Sequence, residues 1–146
     1  MEQTAPTEDP HAPPVEPPLI LIAEDDVDNR EGYAEFLSYQ GYAVAEASNG
    51  QDVIETTRQL RPDVLLLDLA LPVVDGWEVA RVIKADPQLG STLIIALSAC
   101  VFPGDVVRAT EAGCDLFLEK PCYPQRVADE IRRLLDARRL AAEPGA

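Results

Sequence analysis

Short apolar runs alternate with amphipathic segments along most of the chain. Five runs have the length and composition of strands, and five longer segments repeat apolar residues at helical spacing. The predicted strands cover residues 19–23, 42–47, 64–67, 93–97 and 115–118. The predicted helices cover residues 29–39, 51–60, 76–85, 104–112 and 124–139. Because each strand is followed by a helix, the pattern predicts a parallel sheet with helices on both faces.

The composition of the strands also predicts their order in the sheet. The first, third and fourth strands are apolar throughout, as central strands buried on both faces should be. The second and fifth strands have a less continuous apolar pattern, so they suit the two edges of the sheet. The expected order is therefore 2-1-3-4-5, a flavodoxin-like doubly wound α/β fold. In that fold the ligand site lies beyond the carboxyl ends of the first and third strands.

The first 18 residues differ from the rest of the chain. They contain six prolines and four acidic residues but neither lysine nor arginine. Such a composition cannot bury a core, and it predicts a disordered, polyproline-like tail over residues 1–18. One domain is expected over residues 19–139, followed by a short tail at 140–146 with no output domain.

The net charge and the lengths of the apolar runs exclude several classes of function. A net charge of −14 leaves no electrostatic footprint for nucleic acid or for an anionic membrane surface. The apolar runs, of about five residues, are far too short to span a bilayer, and the N-terminus lacks the features of a signal peptide. The three cysteines, Cys100, Cys114 and Cys122, show no metal-binding spacing. A reduced protein of the cytoplasm is therefore expected.

Polar side chains follow four of the predicted strands. Glu24 and Asp25 follow the first strand, Asp68 the third, Ser98 the fourth and Lys120 the fifth. Because the carboxyl ends of parallel strands meet at one edge of the sheet, these groups should share a pocket. Three carboxylates in one pocket repel one another and need a cation or protons. Oxygen ligands without histidine or cysteine favour Mg²⁺.

This set of groups predicts phosphoryl chemistry. Mg²⁺ would neutralise the transferring group, while Lys120 and Ser98 would hold phosphoryl oxygens. Asp68 would be the nucleophile and form an acyl phosphate. Taken singly, Asp68 has the alternative interpretation of a turn or helix cap, and Asp26 or Asp28 is suited to capping the first helix.

The whole set resembles the receiver domain of two-component response regulators over residues 19–139. The intervals between the second acid, the strand-end aspartate, the hydroxyl and the lysine are 43, 30 and 22 residues. In this family an arginine lies five residues after the second acid, and Arg30 stands in that place. That register matches Glu24 and Asp25 to the acidic pair and leaves Asp26 at a variable position. The residues that carry the resemblance are Glu24, Asp25, Asp68, Ser98, Lys120 and Pro121.

The resemblance implies a role for each matched residue. Asp68 would be the phosphoacceptor. Mg²⁺ would be bound directly by Asp25 and Asp68, through water by Glu24, and by the backbone carbonyl of Ala70. Ser98 would be the switch hydroxyl.

The resemblance also implies roles for Lys120, for an aromatic residue and for three loop residues. Lys120 would contact the phosphoryl group, and Phe117 matches the switch aromatic, although plain core packing explains it equally well. Pro72 and Gly76 would shape the turn after the phosphoacceptor, and Pro121 completes the family's Lys-Pro element.

The implied function is a signalling switch rather than an enzyme, although it would catalyse its own phosphorylation and dephosphorylation. The donor would be a sensor histidine kinase or a histidine phosphotransfer protein. A downstream protein would bind the face made by the fourth helix, fifth strand and fifth helix. No nucleic acid or membrane partner is implied.

Three other functions fit these residues less well. A phosphatase of the haloacid dehalogenase type uses similar groups but needs a second aspartate two residues after the first, where this chain has Ala70. A phosphorylation-independent scaffold would not need the intact acceptor, acids, hydroxyl and lysine. A histidine phosphotransfer protein is disfavoured because the only histidine is His11, in the tail.

Overall fold

The computed structural model describes residues 16–99 and 102–142. Most of the predicted N-terminal tail and Cys100 therefore lie outside the described residues. The strands are β1 (Leu19–Ala23), β2 (Ala43–Ala47), β3 (Val64–Asp68), β4 (Leu93–Ser98) and β5 (Leu116–Glu119). The helices are α1 (Val27–Tyr39), α2 (Gly50–Leu60), α3 (Gly76–Ala85), α4 (Asp105–Glu111) and α5 (Pro124–Ala142).

The five strands form one parallel sheet in the order β2-β1-β3-β4-β5. The predicted fold class and strand order are confirmed. The three apolar strands occupy the centre, where helices cover both faces and exclude water from the backbone. Asp68 pairs in register with Leu97, so the ends of β3 and β4 lie side by side.

Alternate residues of the central strands build two separate cores. On one face, Leu65 and Leu67 of β3 pack with residues of α2 and α3, among them Val53 and Ile83. On the other face, Leu66 packs with residues of α1 and α5. All these side chains except Leu66 are fully shielded from solvent, and Leu66 is 1% exposed. The two cores fix the sheet and so fix the positions of its carboxyl ends.

The ends of several elements differ from the prediction, and side chains explain the differences. α1 begins two residues earlier, at Val27, because Asp26 caps it. α5 continues past Arg139 to Ala142, so the helix enters the segment predicted as a tail. Arg138 donates to the carbonyl of Ser91 at 2.9 Å and lies 3.3 Å from the carboxylate of Asp63, which ties this last turn to the sheet.

Across residues 16–99 and 102–142, no helix combines the length and the apolar character needed to cross a membrane.

Candidate functional site

Three carboxylates meet at the carboxyl edge of the sheet. Glu24 and Asp25 follow β1, and Asp68 is the last residue of β3, the neighbouring strand. One carboxylate oxygen from each residue lies within 4.8 Å of the others. Glu24 and Asp68 are buried, at 2% and 4% exposure, while Asp25 is exposed. This cluster could hold a metal ion with its open side towards solvent.

Lys120 is the cation nearest to these acids. Its Nζ lies 2.8 Å from Oε1 of Glu24 and 2.9 Å from Oδ2 of Asp68. Lys120 follows β5, and its backbone amide donates to the carbonyl of Ser98 at 2.8 Å, which fixes Lys120 beside the end of β4. Three carboxylates against one ammonium leave two negative charges, so the pocket has the charge balance to accept a divalent cation.

Burial and these contacts shift the pKa values of Glu24 and Lys120. Burial raises the pKa of Glu24 above its ordinary 4.5, and this outweighs the opposing hydrogen bond from Lys120. Burial by itself lowers the pKa of Lys120, but hydrogen bonds to Glu24 and Asp68 outweigh it and raise the pKa. Lys120 therefore stays charged at neutral pH, held between two acids.

Asp26 lies outside this cluster because its side chain is used locally. Its Oδ2 accepts the amide of Asn29 at 3.1 Å, as an N-cap does, and its own amide donates to Oε2 of Glu24 at 3.1 Å. Arg30, one turn into α1, donates to the carbonyl of Glu24 at 2.9 Å and to Glu46 of β2 at 3.1 Å. The structure thus groups Asp68 with Glu24 and Asp25 and leaves Asp26 to the helix.

The segment after Asp68 is held by backbone contacts. The amide of Ala70 donates to Oδ1 of Asp68 at 2.9 Å and orients the carboxylate, while the Ala70 side chain is exposed. The carbonyl of Pro72 accepts from Gly50 of α2 at 3.1 Å. It also accepts from the amide two residues ahead at 2.9 Å. Pro72 therefore anchors this segment against α2.

Two glycines allow this segment to pack so closely. A Cβ on Gly76 would lie 2.5 Å from the Cα of Leu69 and 2.7 Å from the carbonyl oxygen of Asp68. A Cβ on Gly50 would lie 1.8 Å from the carbonyl oxygen of Val74. The sequence predicted a loop-shaping role for Gly76 but indicated no role for Gly50.

The remaining predicted residues lie around the pocket. Ser98 is half-buried at the end of β4, beside Asp68 and Lys120. Phe117 is half-buried on β5 and packs against the core that α2 and α3 cover. Pro121 follows Lys120 through a cis peptide bond. Burial raises the pKa of Cys114 to about 11 and also raises that of Cys122, so both thiols are protonated and unreactive near neutral pH.

Tyr33 holds the segment that follows Lys120 in place, a role that the sequence did not indicate. It lies on α1 and is 6% exposed, and its hydroxyl donates to the carbonyl of Cys122 at 2.8 Å. That bond ties the segment after Lys120 to α1. The only signal in the sequence was its position on the apolar face of the helix, which is equally typical of an ordinary core residue.

Tyr33 should make the fold sensitive to alkaline pH. Burial raises the pKa of Tyr33 from 10.0 to about 12, so between these values the unfolded chain loses a proton that the folded chain keeps. The folded state should therefore lose about 2 to 3 kcal/mol of stability as pH rises from 10 to 12. In Tyr33→Phe this decline should be smaller, although loss of the hydrogen bond should cost about 1 kcal/mol at pH 7.

Urea unfolding at a series of pH values would measure this effect. Tyr39→Phe is the matched control, because Tyr39 is 87% exposed at the end of the same helix. Lys120 adds a decline of the same sign above pH 10.5, since its pKa is raised in the folded state, but this decline is common to all three proteins. Equal pH dependence in Tyr33→Phe and the unaltered protein would contradict the role of Tyr33.

Comparison with known proteins links this geometry to one family. A family model described as the response regulator receiver domain matches residues 20–132. A polar-differentiation response regulator, DivK, from Brucella anthropi is 31% identical over 119 residues, which is 82% of this chain and 97% of that protein.

Two solved structures have the same architecture. The receiver domain of a signal transduction histidine kinase from Syntrophus aciditrophicus superposes with a TM-score of 0.76 at 33% identity, covering 82% of this chain and 91% of that one. The receiver domain of a putative Luxo repressor protein from Vibrio parahaemolyticus gives a TM-score of 0.79 at 25% identity, covering 86% and 95%. The matched region contains the acidic cluster and Lys120.

Proposed function

This chain belongs to the response regulator receiver domain family, and from that premise we propose that it accepts a phosphoryl group on Asp68 and thereby switches a protein-binding face. The observation that carries the proposal is the contact of the Asp68 carboxylate with the ammonium of Lys120, beside two further acids. A buried carboxylate at a strand end, already oriented and next to a cation, suits a nucleophile for phosphoryl transfer.

The donor set fits Mg²⁺. Its side chains offer carboxylate oxygens only, one of them from the exposed Asp25, and they keep two negative charges that Lys120 does not compensate. Glu24, Asp25 and Asp68 would hold the ion together with the backbone carbonyl of Ala70. When bound, the ion would neutralise charge on the transferring phosphoryl group.

Each side chain around Asp68 would have its own role in phosphoryl transfer. Hydrogen bonds from Ala70 and Lys120 hold the Asp68 carboxylate in one orientation. An oxygen of Asp68 would form the new bond to phosphorus while the bond to the leaving group breaks. Lys120 and the hydroxyl of Ser98 would contact the phosphoryl oxygens on the protein side. The same groups would serve hydrolysis of the acyl phosphate, so the switch would reset itself.

Members of this family receive phosphoryl groups from histidine kinases or phosphotransfer proteins and act on downstream targets. For this chain we infer such a donor, a protein target and a cytoplasmic location, with no nucleic acid or membrane partner. The haloacid dehalogenase alternative lacks support, because Ala70 stands where its second aspartate is required.

We place the target on the face made by α4, β5 and α5. With only seven residues α4 is the shortest helix of the described chain, and a short helix is fixed by few packing contacts. Phe102, Val106 and Val107 are exposed there, at 64%, 52% and 59%. A partly buried Phe117 with no polar group to satisfy would change rotamer at little desolvation cost.

Beryllofluoride, which mimics a bound phosphoryl group, should shift this face by changing the populations of its conformations. In NMR spectra, amide shifts should extend from the site through residues 112–133. Asp68→Asn with the same additions is the control. Shifts confined to the loops around Asp68 would refute a switching face and would favour a passive phosphate sink.

The metal proposal is tested by two neighbouring acids with different contacts. Asp25→Asn should abolish Mg²⁺-dependent phosphorylation, because it removes a ligand, and it should change stability little, because the side chain is exposed. Asp26→Asn should keep most of the phosphorylation, since Asp26 serves α1 as its N-cap and asparagine caps a helix equally well. Intact mass after incubation with acetyl phosphate, with and without Mg²⁺, would measure phosphorylation of both variants. Loss of phosphorylation in Asp26→Asn but not in Asp25→Asn would contradict the assignment of Asp25 as the metal ligand.

A further inference from the structure

A cleft opens beside the phosphoacceptor, between the segment after β3 and the helices α3 and α4. Its volume is about 390 Å³. Leu69 and Ala70, directly after Asp68, and Ser98, at the end of β4, form its inner end. Trp77 of α3 and Arg108 of α4 also line it. The cleft lies close to the acceptor, because Ala70 lines it and the amide of Ala70 donates to Oδ1 of Asp68 at 2.9 Å.

Arg108 is held in the cleft by an aromatic ring rather than by an acid. Its guanidinium carbon lies 4.1 Å from the centre of the Trp77 ring, at cation–π distance. Within the described part of the chain its guanidinium forms no hydrogen bond or ion pair. The arginine is exposed, so its donors remain available to a ligand in the cleft.

Two acids also line the cleft, and both are occupied by backbone groups. Asp75 accepts the amide of Glu78 at 2.9 Å as the N-cap of α3. Asp105 accepts the amide of Phe102 at 2.7 Å. Each backbone amide offsets part of the charge of its carboxylate, and Arg108 is the cation among the residues that line the cleft. The cleft thus places a cation near an otherwise acidic pocket.

We propose that this cleft receives the leaving group of a small acyl phosphate donor and that Arg108 is a specificity-determining residue for such donors. The inference rests on the proposed phosphorylation of Asp68. An oxygen of Asp68 attacks phosphorus, and the bond from phosphorus to the bridging oxygen breaks. The electron pair leaves with that oxygen, so the product is a carboxylate anion and no proton moves. A cation facing this anion stabilises it in the transition state.

A donor with a neutral leaving group provides the contrast. Phosphoramidate transfers the same phosphoryl group but releases neutral ammonia, which gains little from a cation. Arg108 should therefore speed acyl phosphate donors selectively. Because the arginine is exposed and its charge is screened by salt, the gain should be modest and should fall as ionic strength rises.

The test compares two donors on matched variants. At low ionic strength Arg108→Ala should slow phosphorylation by acetyl phosphate about threefold to tenfold. The rate with phosphoramidate should change less than about 1.5-fold, since only the acyl donor produces an anion there. Arg108→Lys should keep most of the acetyl phosphate rate. The control is Arg58→Ala, which removes an equal charge from the exposed C-terminal turn of α2.

Binding supplies a second readout. Trp77 is the only tryptophan of the chain, so its fluorescence reports on the cleft. In Asp68→Asn, which keeps the cleft but cannot react, acetyl phosphate should change Trp77 fluorescence, and Arg108→Ala should weaken that response. Beryllofluoride has no leaving group, so its affinity should be equal in Arg108→Ala and the unaltered protein.

Each outcome of the donor comparison supports or overturns the role of Arg108. Selective loss with acetyl phosphate supports the inference. Equal slowing with both donors, no slowing with either, or the same effect from Arg58→Ala would overturn it. Failure of both donors to label the unaltered protein would remove the proposed function as well, whereas normal labelling without donor selectivity would remove only the role of Arg108.

Discussion

Asp68→Asn is expected to abolish phosphorylation of the protein. The amide cannot form the acyl phosphate, and no other described acid has the same contacts with Lys120 and the Ala70 amide. The fold should survive, because asparagine has nearly the same shape and its amide oxygen can still accept from Ala70. Intact mass after incubation with acetyl phosphate and Mg²⁺ would measure the result, with complete loss of the added phosphoryl group expected.

The control for this change is another carboxylate outside the pocket. Asp52→Asn in the first turn of α2 removes the same charge from an exposed position and should leave labelling unchanged. Circular dichroism would show that both variants are folded. If Asp68→Asn were labelled as strongly as the unaltered protein, a different residue would be the acceptor and the proposed function would need another nucleophile.

Among the substitutions considered, Gly50→Ala is expected to cause the largest loss of unfolding free energy. The added Cβ would lie 1.8 Å from the carbonyl oxygen of Val74, which belongs to the backbone and cannot move aside as a side chain does. The segment after Asp68 would have to shift, and with it the Pro72 carbonyl that Gly50 binds. We expect a loss of at least about 3 kcal/mol of unfolding free energy, at the upper end of overpacking effects.

Gly32→Ala is the matched control, because the same added methyl group meets nothing within 4 Å. Gly32 lies within α1, where alanine is favoured over glycine, so this variant should gain about 0.5 to 1 kcal/mol. Urea denaturation of both variants, together with phosphorylation of the folded fraction, would measure the effects. A Gly50→Ala protein as stable as the unaltered one would contradict the close contact between α2 and this segment.

The fold class and the strand order could be predicted from the amino-acid sequence, because they follow from the periodicity of apolar residues and from the burial it implies. Apolar runs without alternation can be satisfied only at the centre of a covered sheet, which placed β1, β3 and β4 there. Since parallel strands end on one edge, the residues after them had to converge. For that reason the grouping of Asp68 with Glu24, Asp25 and Lys120 could be predicted without coordinates.

Local hydrogen-bonding chemistry was predictable only in part. The sequence offered Asp26 and Asp28 equally as caps, and the structure uses Asp26 because its oxygen reaches the amide of Asn29. The end of α5 was placed too early, since the bonds that Arg138 makes to Ser91 and Asp63 join residues far apart in the chain. Periodicity fades at a helix end, so contacts of this kind decide where the helix stops.

The contacts that hold the pocket in place could not be predicted from the sequence. Gly50 matters because α2 meets the backbone of Val74, and Tyr33 matters because its hydroxyl reaches the carbonyl of Cys122, 89 residues away. The stacking of Arg108 on Trp77 likewise joins two helices that no local pattern connects. Sequence periodicity records which face of an element is buried, but not which partner it meets. Those partners are chosen by how the helices pack across the sheet, where distances of a few ångströms decide every contact.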